Sequence, residues 1–139
     1  IIDKFLQVSN EQAVTASAAS TDVIDFGQTN PNTGMDDRST LVITVDEAAT
    51  AAGAATVTFS LQDSADNSSF ADVSVTAAIG KATLVAGYQI TIPVPNKLRR
   101  YVRAYYTVAT GPLTAGKFSA QVVAGFQQNT HYPDSARIA

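Results

Sequence analysis

The 139-residue chain contains no cysteine, no tryptophan and a single histidine, His131. Without a thiol there is no disulfide staple and no thiolate to serve as nucleophile or metal ligand. One histidine leaves catalytic triads, Cys–His pairs and histidine-cluster metal centres short of parts. The missing tryptophan weakens glycosidase and carbohydrate-module readings, which lean on sugar-stacking aromatics. Charged residues are only 15% of the chain and the formal net charge is −3, so the broad basic field that general nucleic-acid binding requires is absent. No apolar run approaches the ~18 residues of a membrane helix. The opening Ile-Ile-Asp-Lys-Phe has no secretory-signal pattern, so a soluble cytoplasmic product with no membrane partner is expected. The Gly-Pro-Leu-Thr-Ala-Gly-Lys at residues 111–117 is no phosphate cradle, since no helix follows it. No catalytic group, cofactor or metal is expected.

What the chain does have is alternation. Leu41, Ile43 and Val45 alternate with Thr40 and Thr44, and Val57, Phe59 and Leu61 alternate with Thr58, Ser60 and Gln62. Side chains of period two belong to strands with one buried face. Val73 and Val75, then Leu84, then Ile90, Ile92 and Val94 continue the series, and Ala13–Thr15 and Val23–Phe26 add to its start. In residues 98–108 the even positions Val102, Ala104, Tyr106 and Val108 form a core face. The odd positions Arg99, Tyr101, Arg103, Tyr105 and Thr107 form a cationic, aromatic face, joined by Lys97 and Arg100 nearby. Past Gly111-Pro112, Phe118, Ala120 and Val122 repeat the alternation, so the two stretches read as a long hairpin. The expected fold is a single all-β domain, an antiparallel jelly-roll or β-sandwich of about eight strands over residues 1–139.

Turn chemistry separates the strands. Residues 28–34 carry Asn, Pro and Gly, and residues 63–69 are rich in Asp, Ser and Asn. Pro93 and Pro95 should end the strand around Val94 or hold it at a sheet edge. The alanine-rich residues 47–55, interrupted by Gly53, read as a loop or a single helical turn. The ends read as an amino-terminal arm, residues 1–10, and a polar carboxy-terminal tail, residues 127–139.

Asp63, Asp66 and Asp72 raise the question of calcium, which prefers oxygen ligands, but their spacing fits no EF-hand loop. Aspartates in turns ordinarily cap local backbone. Asp36-Asp37-Arg38 reads as a solvated loop, and the Asn67-Ser68-Ser69 sequon as a turn. The patch of Arg99, Tyr101, Arg103 and Tyr105 has the residue types of protein interfaces, although arginine stems lying over tyrosine rings are also ordinary surface structure.

Several segments also carry a family likeness: residues 1–9 (Ile-Ile-Asp-Lys-Phe-Leu-Gln-Val-Ser), residues 12–16 and residues 21–27 (Thr-Asp-Val-Ile-Asp-Phe-Gly). Residues 57–64 with Phe70, and residues 98–108 followed by Thr114-Ala115-Gly116, continue it. In this order they resemble the Bbp16-like capsid cement proteins of tailed bacteriophages. The resemblance implies a jelly-roll or β-sandwich protein made in the bacterial cytoplasm that decorates the outer surface of the phage head. It implies binding to the major capsid protein, assembly as a homo-oligomer with a dimer favoured, and no enzymatic activity. The expected contacts are Phe5 and Leu6 on the arm and Arg99, Tyr101, Arg103 and Tyr105 on the strand face. Removing residues 1–9 is expected to weaken decoration and spare the fold. The competing reading is a virion module that binds carbohydrate or a host receptor through a cleft lined by Tyr88, Tyr101, Tyr105 or Tyr132.

Overall fold

Stretches in which β-branched and aromatic residues alternate with Thr, Ser and Gln bury one face and solvate the other, and they pair as strands. The computed structural model describes residues 3–31 and 39–124. Its strands are β1 (Gln7–Ala13), β2 (Ala18–Ala19), β3 (Ile24–Asp25), β4 (Ser39–Thr50), β5 (Thr56–Ser64), β6 (Ala71–Val75), β7 (Ile79–Gly80), β8 (Gln89–Pro93), β9 (Tyr101–Ala109) and β10 (Ala115–Ala124). The one helical element among the described residues is a 3-10 turn, Lys4–Leu6.

Two antiparallel sheets result, ordered β1-β10-β4-β8 and β2-β9-β5-β6, with β3 also on β9 and β7 also on β5. The paired short segments β2/β3 and β6/β7 each share one place, so the ten strands fill four places in each sheet. This is the expected all-β antiparallel sandwich. Leu41, Ile43, Val45, Phe118 and Ala120 from the first sheet meet Val57, Phe59, Leu61, Val102, Ala104 and Tyr106 from the second in one core. At its centre Phe59 stands edge-on to Tyr106 and Phe118, at centroid distances of 5.8 and 5.4 Å, while Tyr106 stacks on Phe118 at 5.6 Å.

Several expectations need correction. Residues 98–108 and 115–124 form no hairpin: β9 lies between β5 and β2/β3, whereas β10 lies between β1 and β4 in the other sheet. Alternation marks a strand but carries no information on which sheet receives it. The chain crosses between sheets through Thr110 (φ 61°) and Gly111 (φ 97°), and Leu113 plugs into the core beyond them.

The alanine-rich stretch from residue 47 onward is extended as far as Thr50, because Glu47 and Thr50 pair with Lys117 and Ala115. Ladder bonds there override the intrinsic helix preference of alanine. Leu84, expected in a strand, is fully buried from a turn. Strand β1 covers residues 7–13, ahead of the expected Ala13–Thr15, and breaks register with β10 twice, with Glu11 at φ 47°. Of the described part of the arm expected over residues 1–10, residues 3–6 lie outside the sheet and residues 7–10 belong to β1. The strand at Ile90 and Ile92 does end at Pro93 and lies at a sheet edge.

Candidate functional site

Strand β9 sets the cationic, aromatic surface. Its even positions Val102, Ala104 and Tyr106 are buried, so Tyr101, Arg103 and Tyr105 point away from the core. All three are half-buried, covered by neighbours on the outer face of their own sheet. Opposite them on β5 stand Ser64, Gln62 and Ser60.

The arginines of this stretch differ in what they touch. Arg99 lies just before β9 and grips Asp63 on β5: Nε and Nη2 donate to Oδ1 at 2.9 and 2.7 Å, and the Arg99 backbone N–H donates to Oδ2 at 2.9 Å. Nη2 also donates to the Asp63 carbonyl at 2.7 Å. The Asp63 hydrogen bond holds the Arg99 guanidinium above its ordinary pKa. Arg100 forms a two-pronged pair with Asp25 of β3, at 2.7 and 3.0 Å. That contact raises the Arg100 pKa, and it lowers the Asp25 carboxyl, with help from the Gly27 amide. Among the described residues, Arg103 has no carboxylate partner. Its guanidinium carbon sits 3.8 Å over the Phe70 ring and 5.6 Å from the Tyr105 ring, and Nε donates to Gln62 Oε1 at 2.9 Å. Burial pushes its pKa down. The structure thus brings Tyr101, Arg103 and Tyr105 onto one face and turns Arg99 inward as a clasp on Asp63.

Phe5 and Leu6 occupy a different place. Asp3 caps their 3-10 turn, accepting from the Phe5 amide at 3.0 Å through its carboxylate and from the Leu6 amide at 3.0 Å through its carbonyl. Leu6 packs against the core, which leaves Phe5 90% exposed at the apex. Lys4, Phe5, Gln7, Asp22 and Val23 line a shallow concavity of about 300 Å³. Among the described residues, no hydrogen bond, ion pair or ring contact joins Phe5 or Leu6 to the β9 patch. A second concavity, of about 510 Å³, is lined by Asn30, Pro31, Asn96, Lys97, Leu98 and Arg99. Sequence reading missed it, because it joins two loops distant in the chain and neither carries a motif. No tyrosine appears among the described lining residues of either concavity.

The acidic loop is engaged in structure. Asp66 Oδ1 accepts from the Ser68 and Ser69 amides at 2.9 Å each and from Ser64 Oγ at 2.8 Å. The Ser69 and Ser68 amides, more than the Ser64 hydroxyl, bring its pKa down to about 2. Asn67 takes φ 58°, so the sequon is a turn, as read. Asp72 accepts from Gln62 Nε2 at 2.9 Å. Among the described residues no three His, Cys, Asp or Glu side chains gather as a metal site. No described helix is long and apolar enough to cross a membrane. Asp36-Asp37-Arg38, His131, Tyr132 and the tail of residues 127–139 lie outside the described residues.

The geometry is that of an antiparallel β-sandwich whose polar surface is largely tied into its own strands, with one aromatic side chain held out on a capped turn. The Bbp16 family model matches residues 8–122, most of the chain, and the protein belongs to that family. No curated protein matches it.

Proposed function

We propose that this chain is a cement protein of a tailed-phage head: it binds the outer surface of the assembled major capsid protein and stabilises the shell without making or breaking a covalent bond. The reading rests on one observation, the match to the Bbp16 family over residues 8–122, taken with the resemblance of this chain's segments to the Bbp16-like capsid cement proteins. We read the sandwich as a jelly roll. Support for this comes from the strand order β1-β10-β4-β8 against β2/β3-β9-β5-β6/β7, the arrangement two interlocked Greek keys produce. The working form is a homo-oligomer, with a dimer favoured, and it resides on the virion surface.

The mechanism is linkage. A ligand that binds the closed shell and not loose subunits stabilises the shell by about 2.7 kcal/mol per site at one hundred times its dissociation constant. Interfaces of roughly 1,000–1,600 Å², repeated over the lattice, are enough. Phe5 supplies an anchor, since an aromatic ring presented on a capped turn loses little conformational freedom on docking. The test is to add the purified protein to heads assembled without it, then measure occupancy by co-sedimentation and head survival on heating. Phe5→Ser should lower occupancy and leave the melting temperature of the free protein unchanged. Failure of the unaltered protein to bind heads would overturn the reading. Deleting residues 1–9 is unsuitable for this purpose, because it removes Val8 and Ser9, both buried in β1.

A further inference from the structure

Among the three arginines in residues 99–103, only Arg103 has no acidic partner among the described residues. Its position is nevertheless fixed by three neighbours. The Phe70 ring centroid lies 3.8 Å from the guanidinium carbon, Tyr105 flanks it, and Gln62 Oε1 accepts from Nε. Gln62 is itself oriented by Asp72, which accepts from its Nε2 at 2.9 Å and so turns Oε1 toward the arginine. The aspartate therefore sets the direction of the guanidinium without neutralising it. The two terminal nitrogens make no hydrogen bond to any described residue. A planar cation, stacked below, bonded at Nε and open at its Nη1/Nη2 end, matches the two oxygens of one carboxylate.

We propose that the Nη1/Nη2 end of Arg103, held over Phe70 and beside Tyr105, receives the carboxylate of one aspartate or glutamate side chain on the shell protein that this chain decorates. The inference rests on the decoration reading and deepens it by naming the chemistry of one contact. Charge selects a single carboxylate over a polyanion: a chain of net charge −3 repels nucleic acid and long acidic runs, while one fork accommodates one acid. A second copy of this chain is the weaker occupant. The acids that share this sheet, Asp25, Asp63 and Asp72, already hold partners. Because the guanidinium is partly stripped of water before the partner arrives, less of the pairing energy is spent on desolvation.

The test compares unaltered protein, Arg103→Gln, Arg103→Lys and a charge-matched Lys117→Gln on the other sheet, each titrated onto heads assembled without this protein. Thermal melts of the free proteins establish that each is folded. Arg103→Gln should bind about tenfold more weakly or worse, and Arg103→Lys should fail to restore binding, since an ammonium lacks the planar fork. Lys117→Gln should bind as the unaltered protein does. Equal binding by Arg103→Gln, or full recovery in Arg103→Lys, overturns the inference and leaves the decoration reading intact. Head binding unchanged in Arg103→Gln but self-association lost, by sedimentation, would assign the fork to a second copy and likewise overturn it. Absence of head binding by the unaltered protein overturns the decoration reading itself, and with it the assigned partner.

Discussion

Asp63 and Arg99 are joined by four hydrogen bonds, two from the guanidinium to the carboxylate, one from the guanidinium to the Asp63 carbonyl and one from the Arg99 amide to the carboxylate. The Asp63 side chain is buried while the Arg99 side chain is 42% exposed, so the pair anchors the entry to β9 from inside the sheet. Asp63→Ala therefore removes a buried acceptor of both backbone and side chain. It should lower the thermal midpoint more than Arg100→Gln, whose partner Asp25 is itself solvent-accessible. Paired melts of the two variants check this ordering, and equal losses would show that burial does not distinguish the pairs.

Tyr106 donates to Ser9 Oγ at 2.8 Å, and the Ser9 hydroxyl in turn donates to Gln12 Oε1 at 2.7 Å. Burial is the chief cause that pushes the Tyr106 pKa from 10.0 up to about 12. The folded protein holds this proton more tightly than the unfolded chain does. Its contribution is thus complete below pH 10 and is lost as pH climbs toward 12, by about 2–3 kcal/mol. Tyr106→Phe should cost about 1 kcal/mol at neutral pH, the value of one hydrogen bond. The difference should reverse in sign above pH 11, as read by denaturant melts from pH 8 to 12.

Phe59 touches the aromatic rings of both sheets, Tyr106 beside it on β9 and Phe118 across the core on β10. Phe59→Ala opens a cavity where the two sheets meet and should destabilise by about 3–5 kcal/mol. Urea titration gives the loss directly. A change under about 1 kcal/mol would mean that the sheets close over the gap.

At the crossing between β9 and β10, Thr110 holds φ 61°, a left-handed conformation that a β-branched residue adopts at a cost. Its side chain is exposed and makes no hydrogen bond among the described residues. Thr110→Asn should therefore stabilise the protein by about 0.5–1 kcal/mol. A lowered thermal midpoint would assign the threonine a packing role.

The buried faces of β4, β5 and β9 are legible in the chain because period-two alternation is a local property. Leu41, Ile43 and Val45, or Val102, Ala104 and Tyr106, need no knowledge of distant residues to be placed inside. Strand β1 is not legible in this way. Its buried Ser9 is polar, and two register breaks shift its inward positions. The β9 surface is half legible: alternation puts Tyr101, Arg103 and Tyr105 on one face, but nothing local distinguishes Arg103 from Arg99. That difference depends on Asp63 and Asp25, residues 36 and 75 positions from the arginines they bind.

The chain by itself determined an all-β protein without cysteine, with a weak net charge and with named core positions, because composition and alternation act over a few neighbouring residues. Tertiary structure alone decided that the sheet changes after Thr110, that Phe5 stands exposed while Leu6 is tucked in, and that one arginine of three keeps an open fork among the described residues. Each of those outcomes turns on contacts between segments far apart in sequence, and such contacts exist only once the two sheets have closed on a common core.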